Sequence, residues 1–209
     1  VRDYGGDENY RIFSVKADAS EEKDLTPFPG VKVDIIDDLE ADEEHLIIGM
    51  NKQNPQMFDP YRLNIRTGDL KLLAENPGNI TNWITDHEGK LRIAIATDGV
   101  NSTIMYRKME SDEFKPVLQT DFKQTVMPMY FDFDLPEQVY ALSNLGRDKT
   151  AIVKMDINTG KELEVIFEHP EVDVSYMSYS KKRKVPTTIS YITWKREYKF
   201  VDKLVADLY

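Results

Sequence analysis

Short apolar runs recur along the chain at a nearly constant spacing. Leu46-Ile47-Ile48, Leu91-Arg92-Ile93-Ala94-Ile95, Val139-Tyr140-Ala141-Leu142 and Ile189-Ser190-Tyr191-Ile192 begin 45, 48 and 50 residues apart. Upstream of each stands an apolar or aromatic residue, namely Ile36, Trp83, Tyr130 and Met177, and a polar turn separates the two at 37–44, 86–89, 132–137 and 181–184. The first three runs are each followed by a third: Tyr61-Arg62-Leu63-Asn64-Ile65, Thr103-Ile104-Met105-Tyr106 and Ala151-Ile152-Val153-Lys154-Met155. Turns at Thr67-Gly68, 110–113 and Thr159-Gly160 then lead into a fourth, at Leu70-Lys71-Leu72-Leu73, Lys115-Pro116-Val117-Leu118 and Leu163-Glu164-Val165-Ile166. Runs this short, bounded by polar and glycine turns, predict strands rather than helices. Four strands in about 46 residues is the period of a β-propeller blade.

The physical logic is that a four-stranded antiparallel sheet has two apolar faces, and a neighbouring sheet on each side hides them. The pattern predicts an all-β chain of about four four-stranded antiparallel blades, part of a larger propeller. The expected units are about 1–30, 31–78, 79–124, 125–172 and 173–201 of one propeller segment, with two outer strands at 10–15 and around Leu25 opening the series. A meander sandwich is the alternative arrangement. Pro116 suits an outermost strand, where a missing N–H costs no ladder bond. Pro128 falls in a first strand, which calls for a bulge or a strand start. Phe200, Val201, Leu204, Val205 and Leu208 share one helical face and predict the start of a helix over 198–209. A start without Met or an apolar leader, and an amphipathic pattern that breaks off at Tyr209, suggest an excised piece of something longer.

Composition narrows the partners. Thirty-seven acidic against 27 basic side chains give a net charge of −10, the wrong sign for a nucleic-acid partner. No apolar run approaches the roughly 20 residues of a membrane-spanning helix, so no membrane partner is expected. Without cysteine there is no thiol chemistry, disulfide or sulfur-ligated zinc. The redox compartment stays open, periplasm and cytoplasm being equally compatible.

No catalytic, cofactor-binding or metal-binding residue is assigned, and no cofactor is expected. No serine is the centre of a G-x-S-x-G turn. His45, His87 and His169 fall in predicted turns, far apart, and nothing joins them to a nucleophile. His87-Glu88 opens like a zincin helix but has no second histidine. Asp37-Asp38-Leu39-Glu40 and Asp132-Phe133-Asp134 are acidic but lack the spacing of a calcium loop, and turns of this kind are commonly acidic. Asn79-Ile80-Thr81 and Asn101-Ser102-Thr103 match a glycosylation sequon that arises often by chance. Lys181-Lys182-Arg183-Lys184-Val185-Pro186 has the composition of a nuclear import signal, yet lies where the other units place their first hairpin turn.

The stretch Trp83-Ile84-Thr85-Asp86-His87-Glu88-Gly89-Lys90-Leu91-Arg92, followed by Asp98-Gly99 and Ile104-Met105-Tyr106-Arg107, resembles a blade of the prolyl oligopeptidase family of serine peptidases. The branch is that of bacterial acylaminoacyl-peptidases and dipeptidyl-peptidases. Tyr179 to Lys184, then Ile189-Ser190-Tyr191, resemble a later blade of the same proteins. The resemblance implies a propeller that screens peptide access to an α/β-hydrolase domain, and that domain is not in this chain. No catalytic residue transfers to any position here. It also implies that the basic run is a hairpin turn. The partners it implies are a peptide substrate, reached through the hydrolase domain, and that domain itself. Exposed faces at the ends of such an arc would favour self-association. A stand-alone TolB-like module that binds protein partners is the second reading, since Asp86 to Ala94 nearly reproduces the turn of such blades. A freestanding enzyme with an unrecognised site is the third.

Overall fold

A computed structural model describes residues 1–39 and 41–209. Each repeated apolar run is the second strand of an antiparallel sheet. A two-residue ladder comes first, β1 (Phe13–Ser14) with β2 (Lys23–Asp24). The first full sheet has strands β3 (Val33–Asp37), β4 (His45–Asn54), β5 (Met57–Asn64) and β6 (Leu70–Leu72) in that order. The second is formed by β7 (Ile80–Thr85), β8 (Leu91–Thr97), β9 (Ser102–Tyr106) and β10 (Lys115–Thr120). The third is formed by β11 (Val126–Phe131), β12 (Gln138–Ser143), β13 (Ala151–Asp156) and β14 (Lys161–Phe167). The last has three strands, β15 (Val174–Ser180), β16 (Val185–Ile192) and β17 (Arg196–Phe200), and is followed by the short helix α1 (Lys203–Leu208). These are β-propeller blades, and the fold class is all-β. No helix is long and apolar enough to cross a membrane among the described residues.

The chain divides into two compact units, Val1–Ala96 with Arg107–Glu113, and Thr97–Tyr106 with Phe114–Tyr209. In the first, Ile12 and Leu25 from the leading ladder pack with Val31, Val33, Ile48, Met50, Tyr61 and Leu63. Alternation decides this core: Leu46 and Ile48 face it while Ile47, also fully buried, faces the other way. In the second unit Tyr130, Tyr140, Leu142, Ile152, Val174, Met177 and Ile189 form the core. On the opposite face Ala141, Ala151 and Val153 form a thin layer of small side chains. Each fully buried Ile, Leu or Met is worth ~1.5–3 kcal/mol relative to exposure.

Both prolines singled out above sit at sheet edges. Pro116 lies in the outer strand β10, with a register shift between Pro116 and Leu118. Pro128 lies in β11, which opens the third sheet and is therefore also an edge, and the register shifts between Pro128 and Tyr130. The bulge absorbs the missing N–H.

Two elements differ from expectation. Phe200 belongs to β17, where it pairs with Thr188, and the helix begins only at Lys203, capped by Asp202 accepting from the Val205 N–H. Tyr198 and Phe200 alternate with polar residues, and pairing with β16 overrides the helical spacing. His45 opens β4 instead of lying in a turn.

Candidate functional site

The turns after the first strands carry most of the polar structure, and they follow one plan. Asp86 Oδ1 accepts the N–H groups of Glu88 and Lys90, while Oδ2 accepts from Arg92 Nη1 at 2.8 Å. Asp132 Oδ1 accepts from the N–H groups of Asp134 and Leu135, and Oδ2 lies 2.9 Å from Lys154 Nζ. Asp37 Oδ1 accepts from Leu39 N and Oδ2 from Thr85 Oγ1. One oxygen closes the turn and the other ties it to a neighbouring strand. At the fourth such turn Ser180 Oγ accepts from Arg183 N, and Arg183 reaches Asp202 at 2.9 Å. The basic run 181–184 is thus a hairpin turn between β15 and β16.

In the first unit the plan widens into a network. His45 Nδ1 lies 3.0 Å from Asp42, and Asn64 Nδ2 is 3.4 Å from His45 Nε2. The hydrogen bond with His45 holds the Asp42 carboxyl below its ordinary range. Arg62 donates to the Gly89 carbonyl at 2.7 Å, and Arg107 donates to the Leu91 carbonyl at 2.9 Å. Burial lowers the Arg107 pKa without bringing a guanidinium near neutrality.

In the second unit the turn at Asp132 adjoins an aromatic cluster. The Tyr130 ring lies 5.2 Å from Tyr140 and 4.2 Å from Tyr179, and Phe133 lies 5.6 Å from Tyr179. Lys154 Nζ sits 5.2 Å from the Tyr140 ring centre, near enough for cation–π attraction. Burial alone would raise the Asp132 pKa, but hydrogen bonds from Lys154 and the two turn amides hold it below the ordinary value. Burial would depress Lys154, yet Asp132 and Tyr140 raise it. Tyr130 is 5% exposed, its hydroxyl has no partner among the described residues, and burial pushes the phenol far above its usual range. It stays protonated and inside the core.

His169 Nδ1 accepts the N–H groups of Glu171 and Val172, and neither His45 nor His169 has a serine among its hydrogen-bond partners in the described residues. His87 lies in the turn after Asp86. Ser143 donates to Glu162, but Arg147 grips that carboxylate at 3.0 and 2.7 Å. Burial would raise the Glu162 pKa, and its bonds to Arg147 and Ser143 lower it instead. A carboxylate stabilised this way is a poor base. Among the described residues no cluster of three or more His, Asp or Glu could hold a metal ion. Glu40, the last acid of the first cluster, lies outside them. Asn79 is exposed before β7, and Asn101 donates to Asp98 at 2.8 Å.

No local sequence pattern marks the aromatic cluster, because Tyr130 and Tyr179 lie on different strands. The end-of-strand aspartates carried a signal, an Asp two to four residues ahead of the amides it caps.

Comparison with known proteins decides what bears this architecture. Dipeptidyl aminopeptidase BIII of Pseudoxanthomonas mexicana is 26% identical over 219 residues, an alignment covering 100% of this chain and 30% of that protein. The chain resembles the propeller segment of a peptidase. It spans less than a third of that relative's length, and no family model matches it. TolB from Acinetobacter baumannii superimposes with a TM-score of 0.62 at 13% identity, over 92% of this chain and 46% of TolB. A prolyl endopeptidase superimposes at 0.60 and 11% identity, over 90% of this chain and 30% of the endopeptidase. At those identities the two structures speak for the fold alone, and they agree on a propeller.

Proposed function

We propose that this propeller segment screens peptide access to the hydrolase domain of a serine peptidase and takes no part in bond cleavage. The observation that carries the reading is the alignment of the whole chain with part of a dipeptidyl aminopeptidase. The hydrogen-bond partners of His45, His169, Ser143 and Glu162 support it, because each is occupied by turn or strand structure. Rigid sheets with variable turns make a scaffold that admits chains by size, so extended peptides would pass where folded proteins would not.

Reading the coding DNA past Tyr209 is the first test. A frame that continues into G-x-S-x-G, then Asp, then His supports the proposal; a frame without them defeats it. The enzyme so encoded should cleave short peptides well and folded proteins of matching sequence hardly at all. Equal rates would remove the screening role. The TolB likeness favours a second reading, a module that binds protein partners with no hydrolase attached. A frame ending soon after Tyr209 would select it.

A further inference from the structure

In turn after turn of this chain, one side-chain acceptor takes the N–H groups two and three residues ahead of it. Asn64 does so with Arg66 and Thr67, Asp98 with Val100 and Asn101, Asp132 with Asp134 and Leu135, and Asp156 with Asn158 and Thr159. An asparagine carbonyl or an ionised carboxylate is an acceptor throughout the neutral range. In the connection 168–173 between β14 and β15 the same place is taken by His169. Its Nδ1 accepts from Glu171 N at 3.2 Å and from Val172 N at 3.3 Å.

That exchange changes the chemistry of the turn. Nδ1 accepts only while it carries no proton, so the turn requires the neutral imidazole with its hydrogen on Nε2. A proton on Nδ1 would set one donor against two others. The ring is held from outside the turn by Tyr191 of β16, 4.7 Å away between centroids, and Tyr191 lies 5.8 Å from Phe167. The downstream end of the connection is fixed separately: Asp173 accepts from Thr150 N at 2.7 Å, and Val174 N donates to the Thr150 carbonyl at 3.1 Å. Glu168, Glu171 and Asp173 are the other charged groups of the connection. Arg147 and Lys149, in the turn between β12 and β13, feel the charges of Glu168 and Asp173, and Glu197 of β17 pairs across from Tyr191. Acids outnumber bases in this set, so the surroundings tolerate a positive imidazole while the turn itself does not.

We propose that His169 is a proton-sensitive clamp on the connection between the third and fourth sheets. Neutral, it closes the turn 169–172; protonated, it releases that turn while Asp173 keeps the start of β15 tied to Thr150. The clamp is therefore shut at higher pH and opens as pH falls through the range in which histidine changes charge, about pH 8 to 5. The turns closed by Asp98, Asp132 and Asp156 stay shut over that window, because a carboxylate remains ionised there. Opening frees the Glu171 and Val172 amides and lets the exposed Pro170 and Glu171 move. The core shared by the two sheets through Tyr130, Met177 and Ile189 is untouched, so the release is local rather than global.

Amide exchange and imidazole nitrogen shifts, measured by NMR on the whole 209-residue chain, test this. At pH 8 His169 should show the Nε2–H tautomer, and the Glu171 and Val172 amides should be protected. At pH 5 their protection, corrected for the intrinsic exchange rate, should fall about tenfold, as the loss of two hydrogen bonds allows. The Asp134 and Leu135 amides should keep theirs. His169→Asn places a carbonyl, an acceptor at either pH, where Nδ1 was, and should hold the protection at both. Wild-type protection that is the same at the two pH values overturns the proposal, as does an Nδ1–H tautomer at pH 8. So does an equal loss in His169→Asn, which would put the responsible proton elsewhere.

Discussion

Asp132 is only 8% exposed in its side chain and Lys154 20%, so their ion pair sits where charge is costly to leave unmatched. Lys154→Met is expected to destabilise the protein by about 3 kcal/mol, the usual penalty for orphaning a buried charge. Adding Asp132→Asn to that variant should recover part of the loss, and urea unfolding of the three proteins checks both statements. The pH dependence has a definite sign. Asp132 is held below its ordinary value, so its contribution is present above about pH 4 and fades as pH falls through the lowered value. Lys154 is raised, so its contribution is complete below about pH 10 and fades as pH rises through the raised value. In the turn between β8 and β9, the amides of Asn101 and Val100 and the Asn101 side chain pull the Asp98 carboxyl down to about 2. A carboxylate-resolved NMR titration should find it still ionised at pH 3. A midpoint near 4 would mean that the turn is open in solution.

At the scale of elements, the turn at Gly89 shows how tightly a hairpin can be specified. Gly89 has φ +71°, and a Cβ there would come within 2.3 Å of the Leu39 side chain, which is itself buried. Gly89→Ala should therefore cost about 2 kcal/mol or more, combining a left-handed backbone with overpacking; a thermal melt will show it. Such elements were legible from the sequence to different depths. The apolar runs at Ile47, Ile93, Ala141 and Ile189 found their strands because alternation and burial coincide there. Pro128 was harder, since a strand that comes first in its sheet is also an edge, and only the ladder reveals that. The C-terminal helix is present but starts at Lys203, later than the spacing of Phe200, Val201 and Leu204 predicts, because β16 claims Phe200. The aromatic cluster was out of reach because Tyr130 and Tyr179 lie on different strands, and no local pattern joins them.

For the whole molecule, absence of cysteine and an excess of acid excluded several classes of function, but the positive reading came from the pattern around Trp83 to Arg92. The polar groups of the turns at Asp37, Asp86 and Asp132 are engaged in holding hairpins. Assayed alone on peptide and ester substrates, the chain should show no hydrolysis above background. Turnover that disappears with Ser143→Ala would overturn the non-catalytic reading.

The order of strands has a consequence for how the protein is made. Within every sheet the strands lie side by side in the order of synthesis, so a strand finds its partner in the chain just before it. Contacts this local favour rapid formation. Each hairpin can close while the following stretch is still emerging from the ribosome, limiting the time that apolar strands stand exposed. Nascent chains stalled after each sheet should accordingly acquire protease resistance in steps, one sheet at a time.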